Sequence, residues 1–176
     1  MSPTLLAATL IALAYLAGSI PFGVIFARAR GIDLRAVGSG NIGATNAARA
    51  LGRGMGILVF LCDAAKGLLP VMLAKHLVVS APGGAWVVAG VAAAAFLGHL
   101  YPVWLRLRGG KGVATAFGVF LAISPLAALL AIVLFGALYA VWRTSSIGSL
   151  AAATLFPFAL YGLGATRAYL WLAGFL

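Results

Sequence analysis

Long apolar segments alternate with short polar segments along almost the whole chain. The apolar runs occupy about 4–27, 54–76, 85–107, 112–123, 126–142 and 148–163, and a last run begins near 168. A helix needs roughly 20 mostly apolar residues to cross a bilayer, and most of these runs approach that length. The pattern therefore predicts an all-α fold. We expect a single domain over residues 1–176, a polytopic transmembrane helix bundle of six spans plus an incomplete seventh.

Composition agrees with a membrane protein and argues against a water-soluble one. Hydrophobic residues make up 64% of the chain and charged residues only 8%, which leaves no charged surface for a soluble domain. The first apolar run has no positively charged segment before it and exceeds a signal-peptide core in length, so we expect a retained helix. Cys62 is the only cysteine, which excludes a disulfide framework and a thiolate metal site.

Charge predicts the orientation in the membrane. The chain has 12 Lys and Arg against 2 Asp and Glu, and the positive-inside rule explains this excess more simply than nucleic-acid binding does. Lys75 and Arg167 fall on one side of the predicted bundle. The other side carries Arg28, Arg30, Arg35, Arg49, Arg53, Arg106, Arg108, Lys111 and Arg143. We predict that this second side is cytoplasmic, which places the N-terminus outside.

The most polar stretch of the chain is the first loop, residues 38–49, with the sequence GSGNIGATNAAR. Its glycines allow turns that expose consecutive N–H groups, its Ser, Thr and Asn side chains add neutral donors, and Arg49 adds a guanidinium fork. These features are typical of a phosphate-binding loop. An ordinary glycine-rich linker is the alternative.

A second glycine-rich segment, the glycine loop at residues 109–115, reads GGKGVAT and leads directly into an apolar run. A helix N-terminus beside Lys111 is suited to binding phosphate. The spacing of a Walker loop is absent and no strand precedes the segment, so nucleotide hydrolysis is not predicted. Alternatively, Lys111 is simply one more positive-inside residue.

The third loop, residues 143–149, joins hydroxyl side chains to Arg143 at the start of another predicted helix. Ser and Thr are also common helix caps, so this loop by itself is weak evidence for a site. Three loops of similar chemistry on one side of the membrane are stronger evidence.

Two charged residues and one histidine fall inside the predicted spans. Asp63 and Lys66 are three positions apart, so they share one helix face and can neutralise each other in the bilayer. The pair is either functional or a structural ion pair. His99, toward the inner end of the third span, is either a base or a hydrogen-bonding strut, and the strut is favoured. His76, near the outer surface, is expected to be interfacial.

The scarcity of acids narrows the possible chemistry. Asp33 and Asp63 are the only carboxylates, so a two-metal phosphotransferase site cannot be assembled. Neither histidine is followed by an acid four or five places on, and nothing in the spacing arranges a Ser-His-Asp triad. Any catalysis must therefore use positioning and electrostatic stabilisation.

Four segments together resemble one enzyme family. They are GSIPFG at 18–23, the first loop, the stretch 63–67, and GHLYPVWLRLRGGKGVAT at 98–115. In this order they closely resemble the bacterial acyl-phosphate:glycerol-3-phosphate acyltransferases, PlsY. The resemblance implies transfer of a fatty acyl group from acyl phosphate to the 1-hydroxyl of glycerol 3-phosphate, which begins phospholipid synthesis. It further implies an inner-membrane enzyme with its active site facing the cytoplasm, no metal or cofactor, no nucleic acid and no obligate protein partner.

The resemblance also assigns site residues. It implies catalytic roles for Ser39, Arg49 and Lys111. It implies substrate contacts for Gly40, Asn41, Gly43, Thr45, Asn46, His99, Gly109, Gly110, Gly112, Thr115, Ser146 and Ser149. Arg49 is expected to hold glycerol phosphate, and Lys111 with its glycines to hold phosphate as well. Family members continue into a cytoplasmic tail with a His, an Asn and a Glu of the active site. The sequence ends at Leu176 before such a tail, so we expect these groups to be missing.

Two other functions fit part of the pattern. A small anion transporter would also use glycine-rich breaks and intramembrane charge, but such proteins place them near the midplane and commonly in repeated halves. The polar motifs of this chain cluster at one side and show no repeat. A noncatalytic membrane subunit is the other alternative, and it would bind substrate without turnover.

Overall fold

The computed structural model describes residues 2–176, apart from the side chain of Ser145. Over these residues the chain forms α-helices and one short 3-10 turn, at Val103–Leu105, and no strand. The helices are α1 (Pro3–Gly18), α2 (Phe22–Arg28), α3 (Ala44–Leu51), α4 (Arg53–Val78), α5 (Gly84–Leu100), α6 (Val113–Ile123), α7 (Pro125–Trp142), α8 (Ser145–Gly162) and α9 (Arg167–Phe175). The all-α fold predicted from the apolar runs is confirmed.

Four segments within the described residues are long and apolar enough to cross a membrane. They are Pro3–Arg28, Arg53–Val78, Gly84–Leu105 and Pro125–Trp142. The helices Val113–Ile123 and Ser146–Gly162 are apolar but shorter. A multi-pass arrangement follows from these lengths, whereas the number of six spans and the outside N-terminus stay predictions.

The structure adds two features that the apolar runs do not show. The first run is broken between α1 and α2 at residues 19–21, where Pro21 lacks the N–H that a continuous helix would require. The polar loop before α4 contains a helix of its own, α3, and Gly52 separates the two helices with a left-handed φ of 91°. Both breaks lie close to the residues predicted to form the site.

Glycines allow the central helices to approach each other closely. A Cβ at Gly18 would overlap the backbone of Ala95, and this brings α1 against α5. A Cβ at Gly118 would overlap the backbone of Ala64, and this brings α4 against α6. Small residues at helix contacts are the usual means of tight packing in membranes, where burial from water contributes little.

The buried side chains form two clusters. The larger one fills the centre of the bundle and contains residues of α1 and of α4 to α9. The smaller one lies beneath the first loop and consists of Val24, Ala27, Leu34, Ile42, Ala47 and Val59. Because this smaller cluster joins α2, α3 and α4 to residues 34 and 42, it holds the first loop against the end of the bundle.

Candidate active site

Asn46 of α3 holds the chain that enters the first loop. Its Nδ2 donates to the carbonyl oxygens of Leu34 and Val37, both at 2.9 Å, and its Oδ1 accepts from the backbone N–H of Ser39 at 2.9 Å. The side chain is 1% exposed. The amide thus supports the loop from beneath, and substrate contact by Asn46 remains a prediction.

Most of the other polar side chains of the first loop are exposed. Ser39, Thr45 and Arg49 are exposed, whereas Asn41 is half-buried and accepts a hydrogen bond from the N–H of Gly43 at 2.9 Å. Gly38 adopts a left-handed φ of 58°, and a Cβ there would lie 3.8 Å from Cδ of Arg49. The stem of Arg49 therefore runs beside the turn that carries Ser39.

The glycine loop folds back on the end of α5. The N–H of Gly109 donates to the carbonyl of Leu100 at 2.9 Å, and the N–H of Gly110 donates to the carbonyl of His99 at 3.1 Å. Gly112, with a left-handed φ of 77°, is the N-cap of α6. The first N–H groups of a helix have no acceptor within it, so exposed Lys111 lies directly beside a helix terminus that favours anions.

The first loop and the glycine loop meet in the structure. The guanidinium Nη2 of Arg35, just before the first loop, donates to the carbonyl of Arg108, just before the glycine loop. On the other side of the contact, a Cβ at Gly110 would lie 3.2 Å from Cγ1 of Ile42. Arg49 and Lys111, which are distant in sequence, are thus carried by two loops in direct contact.

The polar side chains that pack against the inner side of the glycine loop, at the end of α5 and on α4, are buried. His99 is 3% exposed, and a Cβ at Gly110 would overlap its Nε2. Nδ1 of His99 lies 3.7 Å from Oδ1 of Asp63, which is 2.9 Å from Nζ of Lys66. The predicted Asp63 and Lys66 pair is therefore confirmed as an ion pair, and His99 adjoins it. Thr115, at the end of the glycine loop in the first turn of α6, is also fully buried, and its contact with substrate stays a prediction.

The third loop lies on another part of the bundle. Ser146 is exposed and Ser149 half-buried in the first turns of α8. That helix packs chiefly on α7 and α9, with Gly148 against Phe135. The structure thus joins the first two loops firmly, whereas the place of Ser146 and Ser149 in the site rests on the resemblance.

Comparison with known proteins decides the family. Residues 8–176 match the family model described as Glycerol-3-phosphate acyltransferase. The chain belongs to the glycerol-3-phosphate acyltransferase family. The resemblance recognised from its motifs is therefore confirmed.

Several members of this acyltransferase family are close relatives. The chain is 54% identical over 168 residues to the glycerol-3-phosphate acyltransferase of Anaeromyxobacter dehalogenans strain 2CP-C, covering 93% of this chain and 83% of the relative. It is 58% identical over 144 residues to that of Myxococcus xanthus strain DK1622, covering 81% and 73% respectively.

Two solved structures share its fold. Both are crystal structures of PlsY, described as an integral membrane glycerol 3-phosphate acyltransferase. The glycerol 3-phosphate form has a TM-score of 0.89 and 41% identity, and the lysophosphatidic acid form has 0.87 and 40%. Each match covers 95% of this chain and 82% of the other. The predicted integral membrane helix bundle is confirmed.

An apolar groove of about 410 Å³ lies between the α1–α2 break and the 3-10 turn. Its lining consists of Ile20, Pro21, Val24, Ile25, Arg28, Trp104 and Leu105. Sequence reasoning did not identify this groove, although Pro21 inside an apolar run was a signal for the break that forms one of its walls.

Sequence reasoning also missed the residues that join the two loops. Arg35 was counted only as a positive-inside charge, and Ile42 only as part of a motif. Neither signal specifies a partner. Among the described residues, no three His, Cys, Asp or Glu side chains come together as a metal site, and the prediction of metal-free chemistry continues to rest on the sequence.

Proposed function

We propose that this chain transfers a fatty acyl group from acyl phosphate to the 1-hydroxyl of sn-glycerol 3-phosphate, forming lysophosphatidic acid and inorganic phosphate. The reaction would be the first step of phospholipid synthesis at the bacterial inner membrane, with the site facing the cytoplasm. One observation carries the proposal: Ile42 of the first loop lies against Gly110 of the glycine loop, and Arg35 bonds to Arg108 just before the two loops begin, so two elements suited to phosphate lie side by side. A two-substrate reaction between two phosphate compounds needs such a pair.

The two loops suit different phosphates. The guanidinium of Arg49 offers parallel donors that match a terminal phosphate such as that of glycerol 3-phosphate. Lys111 and the N–H groups at the start of α6 form a compact positive site for the phosphate of the donor. The similarity to PlsY, whose crystal structures include glycerol 3-phosphate and lysophosphatidic acid forms, supports glycerol 3-phosphate as the acceptor.

The proposed reaction needs no covalent intermediate with the protein. The 1-hydroxyl oxygen forms a bond to the acyl carbon, the bond from that carbon to the phosphate oxygen breaks, and the hydroxyl proton passes to a phosphate oxygen. Lys111 and the helix N-terminus offset the charge that develops on the leaving phosphate. Arg49 and Ser39 hold the acceptor with its hydroxyl toward the acyl carbon, which turns an encounter in solution into a step within one complex.

The groove provides a place for the acyl chain. Its walls are mostly aliphatic and aromatic, and Arg28 is its charged lining residue. One end begins at Ile20, whose carbonyl accepts a hydrogen bond from Lys66 in the layer beneath the glycine loop. The proposal places the acyl chain in this groove, in apolar surroundings, and its phosphate at Lys111.

Release of inorganic phosphate from palmitoyl phosphate by the purified protein in detergent tests the proposal. The assay is run with and without glycerol 3-phosphate, with a chelator present, and with palmitoyl-CoA as the alternative donor. We expect phosphate release to depend on glycerol 3-phosphate and to match the lysophosphatidic acid formed. Absence of acceptor-dependent release, or product formation from palmitoyl-CoA alone, would overturn the proposed donor.

A further inference from the structure

Asp63, Lys66 and His99 form a buried cluster between α4 and α5. Their exposures are 2%, 5% and 3%, and Oδ1 of Asp63 lies 2.9 Å from Nζ of Lys66 and 3.7 Å from Nδ1 of His99. A buried ion pair contributes little net stability over apolar residues of the same size, because both charges lose their hydration. The role of the cluster is therefore better inferred from the residues that it contacts than from the ion pair itself.

On one side the cluster contacts the break in the first membrane segment. Nζ of Lys66 donates to the carbonyl of Ile20 at 2.7 Å and lies 5.8 Å from the ring centre of Phe22. Ile20 and Pro21 form part of the groove lining. This carbonyl also accepts the backbone N–H of Phe22 at 3.2 Å, so Lys66 adds a second donor, from a neighbouring helix, at a break inside the membrane segment. Lys66 thereby fixes the break, and with it one end of the groove.

On the other side the cluster contacts the glycine loop. The backbone carbonyl of His99 accepts a hydrogen bond from the N–H of Gly110. The imidazole ring of His99 fills the space that a side chain at position 110 would occupy. Lys111 is the next residue. The orientation of the His99 ring, beside Asp63, therefore limits where Lys111 can lie.

We propose that the buried cluster positions the groove relative to the glycine loop, so that the acyl carbon of the donor, whose phosphate is held by Lys111, lies at the correct distance from the 1-hydroxyl of glycerol 3-phosphate. This inference rests on the proposed function for the identity of the ligands. Asp63 and Lys66 act through Ile20, His99 and Gly110 as positioning residues. Displacements of about 1 Å between reacting groups reduce rates by roughly 100-fold, so a positioning role has a measurable kinetic effect.

The same helix provides a matched control. Lys75, also on α4, donates from Nζ to the carbonyl of Ala122 near the end of α6, at 2.7 Å. Like Lys66, it satisfies a helix carbonyl from a neighbouring helix, but it lies at the opposite end of α4 from the first loop. Lys75→Met thus removes an equivalent bond without affecting the groove or the glycine loop.

The kinetic test uses the double variant Asp63→Asn with Lys66→Met, since either single change would leave an unpaired buried charge. We expect the double variant to remain folded, and its kcat to fall by roughly 10- to 100-fold. We expect its KM for glycerol 3-phosphate to change by less than about threefold, because Asn46 holds the first loop independently.

Lys66→Arg should recover part of the lost kcat, and Lys75→Met should keep the parent kcat. A folded double variant with the parent kcat would overturn the proposal.

A second variant covers the case in which the double variant does not fold. His99→Leu leaves Asp63 and Lys66 paired and replaces the ring with an apolar side chain. We expect the same pattern, a lower kcat with a nearly constant KM for glycerol 3-phosphate. The parent kcat in this variant would contradict positioning by His99.

Hydrogen exchange provides a readout that does not depend on activity. The amides of Gly109 and Gly110 are bonded to the end of α5, so they should exchange slowly in the parent protein. Both should exchange at least several-fold faster in His99→Leu or in the double variant, but not in Lys75→Met. Unchanged exchange would overturn the inference even in an active enzyme. Loss of the expected transfer by the parent protein, with this exchange pattern intact, would overturn only the proposed function.

Discussion

The backbone N–H of Ser39 donates to the side-chain oxygen of Asn46 at 2.9 Å. One buried amide thus fixes the residue that the family resemblance assigns to catalysis. The same amide also donates to Leu34 and Val37, so it ties the start of the first loop to α3 at three points. The geometry of the exposed Ser39 and Arg49 depends on this buried support.

Asn46→Asp should destabilise the protein, because the carboxylate would face the carbonyls of Leu34 and Val37 without a donor. We expect the free energy of unfolding to fall by about 2–4 kcal/mol, from two lost hydrogen bonds and a buried charge. Thermal unfolding in detergent measures the effect. Thr45→Ala, next to Asn46 but exposed, should leave the midpoint within about one degree. An unchanged midpoint in Asn46→Asp would contradict the supporting role.

Arg49 and Lys111 should be separable by kinetics. Arg49→Lys keeps the charge but removes the planar fork, so the KM for glycerol 3-phosphate should rise by about tenfold or more. Lys111→Ala should instead lower kcat by roughly 100-fold, because the ammonium group of Lys111 stabilises charge that develops on the leaving phosphate. Initial rates at varied acceptor concentration distinguish the two effects. Arg53→Ala, also exposed at the start of α4, should retain the parent values. Loss of folding in either variant would instead indicate a structural role.

Gly110→Ala should disturb the glycine loop, because the added Cβ would overlap Nε2 of His99 and lie 3.2 Å from Cγ1 of Ile42. We expect kcat to fall by about tenfold or more as Lys111 is displaced. Gly54→Ala is the control, since a Cβ there meets nothing within 4 Å. It should keep full activity and gain up to about 1 kcal/mol of stability from its place in α4. Equal kinetics for the two variants would contradict the close contact.

Gly118→Ala should weaken the contact of α6 with α4, because the new Cβ would overlap the backbone of Ala64. Overpacking of this kind costs about 1–3 kcal/mol. Gly136→Ala in α7, where a Cβ has open space within 4 Å, should not reduce the unfolding midpoint. The difference between these two midpoints, measured in one detergent, is the test, and a lower midpoint for Gly136→Ala would count against the predicted packing.

A bulky residue in the groove should alter the chain-length preference. Ile25 lines the groove and is 46% exposed, so Ile25→Trp should narrow it. The rate with palmitoyl phosphate should fall by about tenfold relative to that with octanoyl phosphate, because discrimination by an apolar pocket amounts to about 1–3 kcal/mol. Ile57→Trp, 61% exposed on α4, is the matched control and should keep the parent ratio. If Ile25→Trp also keeps it, the acyl chain lies elsewhere.

The pattern of apolar and polar residues along the sequence was sufficient to predict most of the helices. Apolar runs located the helices to within a few residues at most ends. For example, the run at 126–142 corresponds to α7 at Pro125–Trp142. The three-residue spacing of Asp63 and Lys66 was sufficient to predict their ion pair, because residues one turn apart on a helix are neighbours. The order of four motifs was sufficient to identify the family, which the matches then confirmed. These features depend on local periodicity or on sequence similarity.

Only the tertiary structure showed which distant groups meet. Lys66 bonds to a carbonyl 46 residues away, and Arg35 to one 73 residues away. Periodicity fixes which face of a helix is apolar, but it does not fix where two helices cross or how a loop folds back on them. The same limit applies to Asn46, because the motif does not show that its amide is buried and bonded to three backbone groups. The sequence by itself thus determined the helices, the membrane setting and the family. The way the helices cross and the loops fold back determines where the groove lies and where the two loops meet. It also places the buried cluster between the groove and the glycine loop.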